Sequence, residues 1–259
     1  MCLICNVSRR GVFRLGLGVA GLSALPAAAK AFRRRRPVIM LDPGHGGHDP
    51  GTIASDGYFE KTIALATGLE LAQALRETER FDVHMTRSSD VFITLEDRVR
   101  LAQAHKADLF MSMHCDHLPE ANVSGASIFT LSNKASDKLA AAVAQEENSV
   151  DLPETHTRGV SPQVADILAS LETRATKINS ATFQSDLASA LRPSVPMLPD
   201  PQRSANFAVL RDPSIPSVLL EMGCLSNRAD EERLRNLRQR HMLVANLSHA
   251  ITAYFNQTA

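Results

Sequence analysis

Two histidines and one glutamate stand where the chain could hold a metal ion. His45 follows the apolar run of residues 38–41 and an Asp-Pro-Gly turn, and glycines flank it on both sides. Glu60 stands where a helical pattern begins, and His114 ends a second apolar run, residues 109–113. Two imidazoles and one carboxylate are a protein ligand set for catalytic zinc, whose fourth position is left to water. The sequence therefore predicts one zinc ion held by His45, Glu60 and His114.

A zinc hydrolase also needs a base that takes a proton from water and gives it to the leaving amine. Glu221 fits this role because it ends the strand-like run Ser-Val-Leu-Leu of residues 217–220, where a carboxylate is costly to bury unless it faces a site. The alternative is a strand-end glutamate held in an ion pair. Asp116 is a candidate for orienting a ligand or touching substrate, and His48 is a candidate spare ligand or substrate-facing side chain.

Strand-like and helix-like segments alternate along the chain and would position these residues. Strand patterns occupy residues 38–41, 81–86, 109–114, 127–131, 207–210 and 217–221, and helical patterns begin at residues 60, 95, 137, 229 and 241. This alternation predicts an α/β fold with a single open, mostly parallel mixed sheet of about six strands and helices on both faces. Ligands bind such sheets at the carboxyl ends of strands, where His45, His114 and Glu221 all fall.

Two arginines come after the second strand pattern. Arg87 begins a polar turn, and Arg98 lies in the helical pattern that starts at residue 95. We expect both to be structural and to pair with Asp90 or Asp97.

The candidate ligands lie in three blocks that resemble the zinc-dependent N-acetylmuramoyl-L-alanine amidases of the amidase-3 type. The blocks are DPGHGG at residues 42–47 with the Glu-Lys pair at 60–61, Ser-Met-His at 112–114, and LEMGCLSN at 220–227. The resemblance covers residues 38–256 and is strongest to the division-associated periplasmic amidases of Gram-negative bacteria. Cys115 and Cys224 depart from it, since the family pattern has Ala and Phe there.

The resemblance implies a peptidoglycan hydrolase that acts in cell-wall remodelling and daughter-cell separation. Its target would be the amide between the lactyl group of N-acetylmuramic acid and L-alanine. The residues alone support only a zinc hydrolase of an amide, so a zinc peptidase acting on wall peptides and a catalytically silent wall-binding module stay open as alternatives. We expect a monomer. We also expect no nucleic-acid binding, because the chain beyond residue 31 is mildly acidic.

The first 31 residues have the composition of an export signal. They hold four of the 28 basic residues and none of the 28 acidic ones, and Arg9-Arg10 resembles a twin-arginine signal. The apolar stretch after this pair is too short and too rich in small residues for a good membrane span. We expect a signal peptide at residues 1–31, a basic linker at 32–37, a catalytic domain at 38–259 and a periplasmic location. An N-terminal anchor and a mis-started reading frame are the alternatives.

Residues 146–206 form a predicted insert that is far longer than a crossover between strands requires. The insert contains an apolar helical stripe from Val164 to Ile178 and a proline-rich exit. In the amidases that the chain resembles, a helical insert covers the zinc site and a LytM-type activator protein displaces it. The resemblance thus implies such a partner and an inhibitory arm; a permanently packed decoration is the alternative. The acids that could reach the open zinc position are Glu146, Glu147, Asp151 and Glu154.

Two cysteines come directly or shortly after the candidate active-site residues His114 and Glu221. Cys115 and Cys224 could form a disulfide in an oxidising compartment if their Cα atoms lie within about 7 Å. Two buried free thiols are the alternative, and a cysteine ligand to zinc is a third option.

Overall fold

The computed structural model describes residues 35–151 and 174–258, and in these ranges strands and helices alternate. The strands are β1 (Val38–Pro43), β2 (Asp82–Met85), β3 (Leu109–Asp116), β4 (Ala126–Leu131), β5 (Met197–Ala205) and β6 (Ser217–Cys224). The helices are α1 (Glu60–Glu77), α2 (Leu95–Ala104), α3 (Lys138–Asn148), α4 (Arg174–Leu191), α5 (Arg228–Arg235) and α6 (Leu237–Thr258). Short 3-10 turns occupy Ser149–Asp151 and Ala208–Leu210.

The six strands form one sheet in the order β2-β1-β3-β6-β4-β5. Four of the five pairings are parallel, and only β4 and β6 pair in antiparallel fashion. The predicted α/β fold with an open, mostly parallel sheet is therefore confirmed. Because β4 runs against β6, its amino end meets the carboxyl ends of β1, β3 and β6 at one edge of the sheet.

Helices cover both faces of this sheet. The side chains of Leu41, Met111 and Leu220 pack on one face in a cluster with residues of α1, α4 and α6. Met40 and Phe110 point to the other face, where α2, α3 and the turn Ala208–Leu210 cover them. Burial from both sides explains why the central strands are unbroken apolar runs rather than alternating ones.

The predicted strand at residues 207–210 is wrong. That stretch contains the 3-10 turn Ala208–Leu210, and the strand is instead β5, Met197–Ala205, within the proline-rich exit of the predicted insert. β5 is the last strand of the sheet, and its pairing with β4 shifts register between Ala126 and Ile128. Edge strands and bulges are the places where a sheet tolerates proline, so Pro199 and Pro201 do not break β5.

The part of the predicted insert from residue 174 onward belongs to the α/β body. Phe183, Leu187 and Leu191 of α4 are completely buried against the sheet. Most of the predicted stripe, from Val164 to Leu171, lies outside the described residues, and Ile178 at its end is 54% exposed. The predicted signal and the first half of the linker, residues 32–34, also lie outside the described residues. In the described part of the chain, no helix is long and apolar enough to cross a membrane.

Candidate functional site

The three predicted ligands meet at the carboxyl edge of the sheet, and Glu147 from the end of α3 joins them. Nε2 of His45 lies 3.0 Å from Oε1 of Glu60, and Nδ1 of His114 lies 3.2 Å from the same oxygen. The two imidazole nitrogens are 3.1 Å apart. Oε2 of Glu147 lies 2.9 Å from Nδ1 of His114 and 3.6 Å from Nε2 of His45. One ligand atom from each residue thus lies within 4.8 Å of all the others.

These separations fit a tetrahedral zinc ion. With metal–ligand bonds of about 2.0–2.2 Å, neighbouring ligand atoms around a tetrahedral ion stand roughly 3.4 Å apart. The five separations given above run from 2.9 to 3.6 Å and bracket that value, and the oxygens of Glu60 and Glu147 lie within 4.8 Å of each other. Imidazole nitrogen and carboxylate oxygen are also donor types that zinc accepts. The residues present therefore fit one zinc ion.

The acids of the cluster favour a positive charge between them. Burial alone would lower the pKa of His45, but Glu60 and the hydrogen bond with Asp49 outweigh it and raise that pKa to about 10. Burial opposes the same change at His114, whose pKa Glu147 and Glu60 raise to about 10. Zinc needs neutral imidazoles, so an ion bound here would take the place of these protons.

Glycines on the His45 loop make room for the ligand side chains. A Cβ atom on Gly44 would stand 2.3 Å from Cε1 of His114. One on Gly51 would stand 2.6 Å from both Oε2 of Glu60 and Cδ2 of His45. Gly51 also has a φ of +64°, which favours glycine. Any side chain at either position would push a ligand out of place, so close approach explains the glycine-rich block.

Glu60 begins α1, and backbone groups hold its carboxylate from two sides. Oε2 accepts a hydrogen bond from the amide of Thr52 at 2.8 Å, and Oε1 accepts one from the amide of Cys115 at 2.8 Å. The carboxylate therefore links the glycine-rich loop to β3 and presents Oε1 to both imidazoles.

Asp49 is a site residue that the sequence reasoning missed. Its Oδ2 lies 2.8 Å from Nδ1 of His45, and its Oδ1 accepts a hydrogen bond from the amide of Gly51 at 3.0 Å. A carboxylate on the far nitrogen of a metal-binding histidine sets the tautomer and the ring orientation. The signal in the sequence is an acid four residues after His45 in the same turn.

Glu221 is completely buried at the same edge, in register with His114 on the neighbouring strand. Neither of its carboxylate oxygens has a hydrogen-bond partner among the described residues. Burial, followed by the charges of Asp116, Glu147 and Glu60, raises the pKa of Glu221 well above its ordinary range. A buried carboxyl group without a partner is unfavourable, so its position favours a role with water or substrate.

Asp116 lies two residues beyond His114 on β3 and is also buried. Its Oδ2 has no partner in the described part of the chain. Burial raises the pKa of Asp116 to about 7, with further contributions from Glu146 and Glu147. The structure thus brings Asp116 and Glu221 to the same edge of the sheet as the ligand cluster.

Comparison with known proteins identifies the family. Residues 39–253 match the protein family described as N-acetylmuramoyl-L-alanine amidase. The chain belongs to this amidase family. AmiA of Escherichia coli strain K12 is 33% identical over 269 residues, a match that covers 96% of this chain and 92% of AmiA. AmiC of Escherichia coli O6:H1 is 35% identical over 235 residues, and that match spans 89% of this chain but only 55% of AmiC.

Solved amidase structures share the fold. The catalytic domain of CwlV from Bacillus (Paenibacillus) polymyxa var. colistinus superposes with a TM-score of 0.64 at 24% identity, covering 85% of this chain and 98% of that domain. An N-acetylmuramoyl-L-alanine amidase from Clostridium difficile 630 gives a TM-score of 0.61 at 22% identity, covering 86% and 99%. The α/β architecture of this amidase-family chain is thus that of known members.

Of the four acids predicted for the inhibitory arm, Glu147 reaches the cluster. Glu146 and Glu147 line a cavity of about 160 Å³ beside His45 and Glu60, but Glu146 offers no atom to the ligand group. The side chains of Asp151 and Glu154 lie outside the described residues. His48 is not part of the cluster either; its ring lies against that of Phe92, with 4.2 Å between centroids and the two planes tilted by 42°.

Cys115 and Cys224 of the amidase-family chain are free, buried thiols. They pack in different apolar clusters, and neither offers a ligand atom to the metal group. Burial raises the pKa of both thiols, which keeps them protonated and unreactive. The structure therefore agrees with buried thiols rather than with a disulfide or a cysteine ligand.

Proposed function

We propose that this chain is a zinc-dependent peptidoglycan amidase. It hydrolyses the amide between the lactyl group of N-acetylmuramic acid and the L-alanine of the stem peptide, in cell-wall remodelling and daughter-cell separation. The observation that carries the proposal is the cluster of two histidines and two glutamates, with one donor atom from each within 4.8 Å of the others, in a member of the amidase family. His45, Glu60 and His114 would hold one Zn²⁺. When bound, the ion supplies Lewis acidity and lowers the pKa of water towards about 7.

Glu221 carries the proton in this reaction. Its carboxylate takes a proton from the attacking water and gives it to the nitrogen of the leaving L-alanine. The carbon–nitrogen bond breaks, and the lactyl carbon keeps the oxygen of water as a carboxylate. The feature that supports this role is that both oxygens lack partners among the described residues, so they can accept a proton from water and pass it to the amine.

Asp116 and His48 are proposed to contact the substrate. The free Oδ2 of Asp116 suits an amide N–H of the stem peptide, because a buried acceptor without a partner is unfavourable unless the substrate supplies a donor. His48 belongs to the glycine-rich loop and is exposed beside Phe92. A longer glycan or peptide would pass this surface.

The end of α3 is proposed to act as an inhibitory arm. Oε2 of Glu147 takes the fourth corner of the donor set, which water needs for hydrolysis. A LytM-type activator that binds the form with Glu147 withdrawn would shift the population towards activity. The alternative is a permanent decoration, in which Glu147 is a constant fourth ligand.

We further propose that the protein leaves the cytoplasm by the twin-arginine route and works as a monomer in the periplasm. The support is the Arg9-Arg10 pair and the weakly apolar stretch after it. Replacing both arginines with lysine and fractionating the cells tests the route: delivery should stop. Unchanged periplasmic delivery would contradict it.

Digestion of purified sacculi tests the enzymatic proposal. The Glu147→Ala variant is used, so that inhibition does not hide activity, and its control is the Glu147→Ala/Glu221→Gln double variant. We expect free stem peptides that begin with L-alanine, and we expect a chelator to abolish their release. Cuts between amino acids would identify a zinc peptidase instead. Tight zinc and sacculus binding without any product would identify a silent wall-binding module.

A further inference from the structure

A buried guanidinium group lies beneath the loop that carries His45. Nη2 of Arg98 donates to the carbonyl oxygen of His45 at 2.8 Å, and Nη1 donates to that of Pro43 at 2.9 Å. Nε donates to the carbonyl of Ile93 at 2.9 Å, and only 2% of Arg98 is exposed. The expected ion pair with Asp97 is wrong, because the carboxylate that Arg98 meets is Asp42, at 2.7 Å.

Asp42 fixes the orientation of Arg98. One oxygen of its carboxylate accepts from the hydroxyl of Thr86 at 2.6 Å, and the other accepts from the hydroxyl of Ser112 at 2.6 Å. Burial would raise the pKa of Asp42, but the charge of Arg98 and the two hydroxyl donors outweigh it and hold the pKa below its ordinary value. Asp42 therefore stays charged and ties Arg98 to the ends of β1 and β3.

Arg87 joins the same loop to the helix that begins with Glu60. Its Nη2 donates to the carbonyl of Gly44 at 2.6 Å and to that of Lys61 at 2.9 Å. Its Nε donates to the carbonyl of Pro43 at 2.9 Å. Asp90, the other expected partner, pairs instead with Lys61 at 2.8 Å. One guanidinium thus sets the spacing between the segments that carry His45 and Glu60.

The backbone of His45 needs this support. Its φ is +57°, in the left-handed region that only a few per cent of residues other than glycine adopt, with asparagine, aspartate and histidine the most frequent among them. A flip to the extended region would swing the imidazole away from Glu60 and His114. The hydrogen bond from Arg98 to the His45 carbonyl opposes that flip, because it fixes the peptide group directly after the strained residue.

We propose that Arg98, oriented by Asp42, and Arg87 are positioning residues of the metal centre. They hold the His45 loop so that the imidazole meets the other ligands before a cation arrives. The proposal rests on the proposed function in one respect, that the cluster binds a divalent cation. An ion that enters a preformed cluster does not have to order the loop, so loss of either arginine weakens metal binding rather than only the fold.

Metal affinity of the purified full chain tests this proposal. Arg98→Lys keeps a charge beside Asp42, but one ammonium group cannot also reach the carbonyls of Pro43 and His45. We expect the affinity for Zn²⁺, measured by competition with a chromogenic chelator, to fall about 10–100-fold, as for other groups that orient metal ligands. The matched control is Arg76→Lys, since Arg76 donates to the carbonyl of Val83 at 2.8 Å, away from the cluster. The control should change the affinity less than about twofold.

A second variant and a spectrum cover the case in which Arg98→Lys fails to fold. Arg87→Lys leaves the pair of Asp42 and Arg98 intact and should also weaken Zn²⁺ binding. The visible spectrum of the Co²⁺-loaded protein reports coordination geometry, and it should change in either variant but not in Arg76→Lys. Unchanged affinity and spectrum in a folded variant would overturn the positioning roles alone. If the unaltered protein bound no Zn²⁺, the proposed metal function would fail, and the positioning proposal with it.

Discussion

The two sides of the donor cluster are held in different ways. His45 and Glu60 are 4% and 1% exposed in their side chains, and backbone amides, Asp49 and two arginines hold their segments. Glu147 is 12% exposed and stands at the end of α3. The next residue, Asn148, ties that end to the body: its Nδ2 donates to the carbonyl of Asn206 at 2.8 Å, and its Oδ1 accepts from the amide of Ala208 at 2.7 Å.

Under the proposed inhibition, this difference separates a fixed side, made of His45, Glu60 and His114, from a removable side, made of Glu147 and the last turn of α3. The first half of α3 is well anchored, because Ala140 and Val143 are buried and Asp137 caps the helix at the amide of Ala140. Release of Glu147 would therefore need only the last turn of α3 to unfold. Helix ends unfold at much lower free energy than buried strands. The segment that carries His45 is not a helix end, and Arg98 and Arg87 donate hydrogen bonds to the carbonyls of His45 and Gly44.

The largest contrast is between two ligand deletions. His114→Ala should reduce both Zn²⁺ binding and sacculus digestion to background, because it removes a donor from a buried strand of the fixed side. Glu147→Ala should keep the ion, since three ligands and water complete a catalytic zinc site. Metal analysis after dialysis measures both. Equal loss of zinc in the two variants would contradict the separation into fixed and removable ligands.

Glu221→Gln separates catalysis from metal binding at the fixed side. Glutamine has the same shape but cannot take a proton, so turnover should fall about 10²–10⁴-fold while bound zinc stays at one equivalent. The change is best made in the Glu147→Ala background, where basal activity is measurable. Near-normal digestion by the double variant would show that another group is the base.

The fixed side is largely predictable from the sequence. His45, His114 and Glu221 can be found because parallel strands bring the residues at their carboxyl ends to one edge, and Glu60 can be found because it opens a helix after a turn. Asp49 escapes prediction because its role depends on the loop fold. The predicted partners of Arg87 and Arg98 are wrong because these long side chains reach carbonyl groups more than 40 residues away.

The removable side is less predictable. The sequence does not distinguish the four acids, and among the described side chains the rotation and packing of α3 bring Glu147 rather than Glu146 to the cluster. Within the predicted insert, Pro199 and Pro201 obscure the pattern of the edge strand β5, whose pairing with β4 is a long-range feature. Local pattern identifies what a segment can form, but not which distant segment completes it.

Glu147→Ala should also raise activity. If the arm holds the resting state by about 1–3 kcal/mol, its removal should increase basal dye release from labelled peptidoglycan about 5–150-fold without any partner. Glu146→Ala is the matched control, because Glu146 lies beside Glu147 on α3 but offers no ligand atom. A zinc-loaded Glu147→Ala protein that releases dye no faster than the unaltered protein would support the permanent decoration.

The smallest expected effect comes from Asn148, which anchors the end of α3, rather than from the ligand Glu147. Asn148→Ala removes both hydrogen bonds that hold the end of α3 but leaves Glu147 in place. A typical hydrogen bond contributes about 0.5–1.5 kcal/mol, so the closed form should lose part of its advantage, and basal dye release should rise a few-fold. Asn246→Ala is the control, since its Nδ2 donates to Ser194 on another surface at 2.6 Å. The increase should vanish in the Glu147→Ala background, because without the ligand there is no inhibition for Asn148 to maintain. An equal increase in that background would show that Asn148 acts on the active site by another route.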